Sequence, residues 1–316
     1  MKMHILDTHF QGMAQVTAVY LLIGPDGPVL IESGPGSTLP AVLDALATHG
    51  IRPADVRAVL LTHIHLDHAG AAGWWAQQGA QIYVHHVGAP HLIDPSKLLA
   101  SATRIYGDRM DELWGEFLAS PAERVTSLYD GDTVSAGGLT LTALDTPGHA
   151  WHHHAYRLSD GHGGAVLFTG DAAGVVLPHV GVVDLPAPPP EFHMETWLRT
   201  LDRLEAAGAH TIYPTHYGPV TDVHGHLTAL RTLMIDAVAF VAARYQTLVD
   251  GTAADGAATS LEPSQRTALL DDYVSWNRVR AAEMGLPGET IRRYELANPL
   301  FMSVDGILRY LRKKGQ

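Results

Sequence analysis

The stretch LLTHIHLDHAG, residues 60–70, places His63, His65, Asp67 and His68 within six positions, directly after an apolar run. Imidazole nitrogens and carboxylate oxygens are ligands for zinc, iron and manganese. A lone His-x-His is common in polar loops, whereas His-x-His-x-Asp-His is much more specific. Three later segments carry further donors: His149 in LDTPGHAW, Asp171 in LFTGD and His216 in IYPTHYG. Each follows a strand-like run, and strand ends are where layered α/β folds place their sites. Read as an extended segment, residues 63–68 project His63 and His65 the same way and set Asp67 and His68 apart. That arrangement suits two neighbouring metals, each taking part of the set.

The elements that position these donors are legible as a coarse pattern. MHILDTHF and AVYLLIGPDGPVLIES read as strands, with GPDG as a hairpin turn. A helix over about 37–50 follows, then a buried strand VRAVLLTHIH, a short helix AGAAGWWAQQGA and a strand QIYVHH. This alternation predicts a layered α/β domain. Residues 88–120 read as a helical insertion. VTSLYDGDTV, GLTLTALDT, HHAYRLS and GAVLFTGD read as strands. A Pro-rich loop and a helix METWLRTLDRLEAAG precede a last strand, HTIYPTHYG. Helices are expected over about 222–249, 262–284 and 301–314, with DGTAADGAATS as a flexible link between the first two.

Composition narrows the chemistry. The 316 residues are 46% hydrophobic and 17% charged, enough for a sizeable core. A net charge of -12 disfavours a nucleic-acid partner. With no cysteine, disulfides, thiol nucleophiles and cysteine-ligated metals are excluded. The N-terminus carries no signal-peptide pattern, and no run reaches the roughly 18 apolar residues of a membrane helix. A cytoplasmic protein without a membrane partner is the expectation.

THIHLDHAG, DTPGHAWHHHAY, LFTGD and PTHYG together resemble the four metal-binding motifs of the metallo-β-lactamase-fold hydrolases, over about residues 4–235. The resemblance implies an αββα sandwich: two mixed β-sheets face to face, helices outside and metals at one edge. It implies a catalytic domain over 1–235, containing the insertion at about 88–120, and a C-terminal helical extension over 236–316. It implies that His63, His65 and His149 hold one metal, that Asp67, His68 and His216 hold a second, and that Asp171 bridges them. The cofactors would be two divalent ions, zinc first, with iron or manganese as alternatives. A hydroxide bridging two such ions would attack an ester, lactone or thioester, with Asp67 as the catalytic residue that orients the nucleophile or takes its proton.

The chain departs from the family in places. Glu32 in IESGPG stands where Asp is usual, and support behind the ligands or a loop hydrogen bond is its expected role. His153 matches a second histidine after PGH in glyoxalase-like members. Support behind the ligands is the alternative role for His153; for it, and for His152, His154, His85 and His86, a structural or surface role is the default. The zero cysteine count and Asp171 argue against the β-lactamase branches, and glyoxalase II and persulfide dioxygenases are more similar. Those relatives carry an Arg-bearing loop after the bridging Asp, yet residues 172–198 hold no Lys or Arg. This apolar, Pro-rich loop predicts either a pocket for a neutral, partly hydrophobic small molecule or a core-packing crossover. NPLFMSVDGILRYL is expected to pack over that pocket or to form a homodimer contact. The alternative function is a mononuclear iron enzyme of the persulfide dioxygenase kind, with His63, His149 and Asp171 as its triad.

Overall fold

The computed structural model describes residues 2–159, 161, 164–178, 181–250 and 261–314. Its first sheet runs in chain order: β1 (Lys2–Asp7), β2 (Ala18–Gly24), β3 (Gly27–Ile31), β4 (Ala58–Leu60), β5 (Gln81–His85) and β6 (Val125–Leu128). The first three strands are antiparallel and the rest are parallel. The second sheet comprises β7 (Thr133–Ala136), β8 (Leu139–Asp145), β9 (His154–Ser159), β10 (Ala165–Gly170) and β11 (Thr211–Pro214), in the order β11-β10-β9-β8-β7. Only β10 and β11 pair in parallel there. VTSLYDGDTV, which reads as one strand-like run, therefore ends one sheet as β6 and opens the other as β7.

Period-two alternation decides which layer each side chain joins. In β2, Tyr20 and Leu22 point between the sheets, where they meet Tyr156 and Phe168. Val19 and Leu21 point the other way, under α1 (Leu39–Thr48) and α3 (Ala72–Gln77). Both faces are covered, which explains the unbroken apolar runs. The second sheet's outer face is covered by α7 (Met194–Ala206), α8 (Val223–Asp250), α9 (Pro263–Glu283) and α11 (Leu300–Lys314). Two mixed sheets flanked by helices make the αββα sandwich.

The remaining helices are α2 (Leu66–Ala69), α4 (Ala89–Ile93), α5 (Ser96–Tyr106), α6 (Met110–Trp114) and α10 (Gly288–Ala297). The insertion is thus three short helices, α4 to α6. The polar α10 is not anticipated by the sequence. α8 is long and apolar enough to cross a membrane, but it packs Leu227, Leu230, Met234 and Val241 into the core over the second sheet. Val304, Ile307 and Leu308 of α11 join the same core. The link DGTAADGAATS falls almost wholly outside the described residues.

Candidate metal centre

All seven predicted donors meet at the C-terminal ends of β4, β8, β10 and β11. His63 Nε2 lies 2.9 Å from His65 Nδ1, and His149 Nε2 lies 3.0 Å from the same atom. A second group forms around Asp67, whose Oδ2 is 3.2 Å from His216 Nε2 and 3.7 Å from His68 Nε2. Asp171 lies between the two groups. Its Oδ2 is 3.4 Å from His149 Nε2, and its Oδ1 is 3.3 Å from His68 Nε2 and 3.6 Å from His216 Nε2. One reading is corrected here. Asp67 and His68 do not diverge, because residues 66–69 turn into the short helix α2 and bring both side chains to one place.

Four of the five imidazoles are oriented by what the other nitrogen bonds, as second partners commonly do for metal-binding histidines. His149 Nδ1 donates to the Pro186 carbonyl at 2.8 Å, and His216 Nδ1 donates to that of Val16 at 2.9 Å. His68 Nδ1 donates to Glu32 Oε1 at 3.0 Å. His63 Nδ1 donates to Thr62 Oγ1 at 3.1 Å, and that hydroxyl donates to Glu32 Oε1 at 2.6 Å. Thr215 Oγ1 donates to the same carboxylate oxygen at 2.9 Å. The Nε2 atoms of His63, His68, His149 and His216 are therefore left facing inward.

Glu32 is thus the hub behind the cluster. It is fully buried and has a left-handed backbone, φ 68°. The sequence already suggests a supporting role for Glu32, but not which side chains it holds. Thr62 and Thr215 are not flagged at all, although a visible signal exists: Thr immediately precedes both His63 and His216. His153, read as structural or surface by default, is fully buried behind the centre. Its Nε2 accepts the Asp171 N–H at 3.2 Å, and its Nδ1 meets Thr146 Oγ1 at 2.7 Å. Gly170 is held at φ 50°, and a Cβ there would stand 2.4 Å from Thr62 Oγ1 and 2.7 Å from His153 Nε2. Only glycine lets the chain turn from β10 into Asp171 so close to β4.

The electrostatics suit cations. Burial, reinforced by neighbouring imidazoles, pushes His63 far below its usual pKa, and burial takes His65 down to about 3 and lowers His149. These three are neutral donors. In the second group burial also opposes charge, but Asp67, Asp171 and Glu32 outweigh it and hold His68 well above its ordinary value. Asp171 and Asp67 raise His216 in the same way. Asp67 falls to about 2, because His68 and His216 overcome its burial. The field at this spot favours positive charge.

His68 Nε2 and Asp171 Oδ1 are buried, and neither makes a hydrogen bond. Orphaned buried polar atoms are rare and call for a partner such as an ion. Neutral imidazoles with carboxylates are also the donor set of zinc-type sites. The residues present fit divalent metals, in the groups His63–His65–His149, His63–His68–Asp171 and Asp67–His68–His216.

Other histidines serve locally. His193 caps α7 by accepting from the Thr196 N–H, and His226 donates to the Ala173 carbonyl at 2.7 Å. The loop after Asp171 is core crossover: Ala172, Ala173, Leu185 and Ala187 are buried in the core over the second sheet. Trp75 and Trp197 are core residues, whereas Trp151 is exposed at the rim.

This chain belongs to the metallo-β-lactamase superfamily, whose model matches residues 13–216. It is 30% identical over 210 residues to an atrochrysone carboxyl ACP thioesterase of Aspergillus fumigatus, a match covering 65% of this chain and 52% of that protein. The chain thus spans about half the length of that relative. A probable metallo-hydrolase of Bacillus subtilis is 25% identical over 228 residues, covering 65% of this chain and 68% of that protein. Among solved structures, a metallo-β-lactamase family protein from Thermus thermophilus matches with TM-score 0.66 and 26% identity, covering 99% of this chain and 94% of that one. An archaeal superfamily member from Sulfolobus tokodaii shares the fold with TM-score 0.62, 19% identity and coverage of 96% and 97%. Relatives carrying thioesterase and metallo-hydrolase names support a hydrolase.

Proposed function

We propose that the chain is a binuclear metal-dependent hydrolase that cleaves a thioester, ester or lactone with an apolar acyl group. The observation that carries this reading is Asp171, whose two oxygens face two separate groups of donors. His63, His65 and His149 would hold one ion, Asp67, His68 and His216 the other, and Asp171 both. The chemistry supplied by two bound cations is a water of lowered pKa and polarisation of a carbonyl oxygen.

The chain's own residues set the approach. Of the seven donors only His65 and Asp67 are partly exposed, so substrate arrives on their side. Asp67 there orients the attacking water and takes its proton. Leu66, between His65 and Asp67, and Val16, whose carbonyl accepts from His216, belong to an apolar cluster with Phe10, Trp114 and Leu113, packed against Tyr106 and Leu296. This wall, from α5, α6 and α10, suits a neutral, partly hydrophobic acyl group. The name of the thioesterase relative supports a thioester as the first bond to try.

The test is metal content by elemental mass spectrometry, together with an acyl-ester, lactone and thioester panel on the same preparation. About two divalent ions per chain with turnover of one substrate class is the expected result. One iron per chain with oxygen uptake would replace this reading by the oxygenase one.

A further inference from the structure

A second feature lies on the far side of the Pro-rich loop that follows Asp171. Pro189, Leu308, Arg266, Asp305, Arg309 and Arg312 line a cleft of about 250 Å³. Arg266 is neutralised, because its Nε donates to Asp305 Oδ1 at 2.8 Å. Arg309 and Arg312 are exposed and have no carboxylate partner among the described residues. They stand three positions apart on α11, on one face of the helix. The cleft, also lined by Leu261, therefore carries two guanidinium groups uncompensated among the described residues, in a chain of net charge -12. Basic side chains also complement a helix C-terminus, which accounts for Arg312, Lys313 and Lys314 in the last turn. It accounts neither for Arg309 nor for a cleft.

The position ties this cleft to the centre. Ala187 N donates to Ser303 Oγ at 3.2 Å, and the Pro186 carbonyl beside it holds His149. Pro189 is three residues further, at most about 11 Å of extended chain. Glu191, next on the same loop, accepts from the Trp151 N–H at 2.9 Å at the rim of the centre.

We propose that this cleft binds the phosphate of a phosphopantetheine-type acyl thioester, so that the leaving group as well as the acyl group is recognised. The inference rests on the hydrolase reading above. Water adds to the thioester carbonyl, the C–S bond breaks, and the sulfur leaves with the electron pair as a thiolate that takes up a proton. The other product is the carboxylate. Paired arginine forks match a phosphate anion in geometry and charge, and an extended pantetheine arm would run along the loop from cleft to centre.

The test is calorimetric titration of the purified protein with 4′-phosphopantetheine, pantetheine, coenzyme A and glutathione. Phosphopantetheine should bind at least about tenfold more tightly than pantetheine, the scale of one or two charge-assisted contacts. An Arg309→Ala/Arg312→Ala double variant should lose that preference at unchanged metal content, and Arg309→Lys/Arg312→Lys should recover part of it. Tighter binding of coenzyme A than of phosphopantetheine would assign the donor to the free coenzyme. Competition by a phosphopantetheinylated carrier protein at lower concentration would assign it to a carrier. Equal binding of pantetheine and phosphopantetheine, no binding of either, or tighter binding of glutathione would overturn the proposal. If the phosphate preference holds but no thioester is cleaved, the hydrolase reading alone fails.

Discussion

Two clusters of histidine and aspartate lie at strand ends, and they differ in a way that composition cannot reveal. One is the seven-donor centre. The other joins His85 at the end of β5, Asp145 at the end of β8 and His154 at the start of β9, close enough to hold a metal. In the first cluster the far nitrogens of four imidazoles donate to oxygens, and the near nitrogens face inward. Among the described residues His68 Nε2 and Asp171 Oδ1 lack a hydrogen bond there, and so does His154 Nδ1 in the second cluster, so orphaned atoms alone do not separate the two. In the second, His85 Nδ1 accepts the Val87 N–H at 3.1 Å, so its proton sits on Nε2, which faces Asp145 Oδ1 at 3.4 Å. His154 Nε2 donates to the same oxygen at 2.7 Å. A carboxylate served by two N–H donors is satisfied, and His85 cannot offer Nε2 to a metal without giving up a backbone bond. The lesson is that ligand type and proximity are insufficient: the partner of the far nitrogen decides whether an imidazole is a donor or a ligand.

The contrast can be broken most sharply at the two aspartates. Asp171→Ala should strip metal from both groups and lower kcat/KM by more than about a hundredfold, since outer partners alone are worth 10- to 100-fold. Asp145→Ala should leave metal content as it is. Elemental analysis and turnover on the same preparations decide this, and metal loss in the second variant would make the two clusters alike.

A smaller effect is expected behind the ligands. Glu32→Gln keeps the shape but removes the charge that accepts from His68, Thr62 and Thr215. Metal affinity should fall about 10- to 100-fold, read by competition with a chelator. Stability should drop by about 1–3 kcal/mol for the buried donors left mispaired.

The smallest effect concerns pH. Hydrogen bonds from His154 and then His85 hold the Asp145 carboxyl well below its ordinary range, against the opposing effect of burial. A depressed folded pKa contributes stability above the unfolded value near 3.9 and loses it as pH falls through the folded one. Asp145→Asn should therefore be less stable than wild type at pH 7 by on the order of 1 kcal/mol, kept small by its partial exposure. The gap should narrow below about pH 4. Urea midpoints at pH 7 and pH 3 measure it, and a gap that widens in acid would contradict the hydrogen-bonded assignment.

Much of the fold is written locally. The alternation in AVYLLIG, the two-residue turn Pro25–Asp26 and the amphipathic α7 each follow from neighbouring residues. α10 does not, because GETIRRYELA is polar and buries only Tyr294, so no apolar stripe announces it. The turn of residues 66–69 into a helix is equally hidden, since LDHA follows an apolar strand and reads as its continuation. Glu32, Thr62 and Thr215 are individually ordinary, and their shared role arises only where β3, β4 and β11 end together.

By itself the sequence determines which atoms can bind a cation and that they follow four strands. It also excludes every cysteine-based chemistry. Which nitrogen of each imidazole faces the centre was decided by tertiary structure alone. That choice depends on a second partner brought from elsewhere in the chain: Pro186 for His149, Glu32 for His68, and Val16 for His216, 200 positions away. An imidazole has two nitrogens and one mobile proton, and only the packed chain fixes where the proton goes.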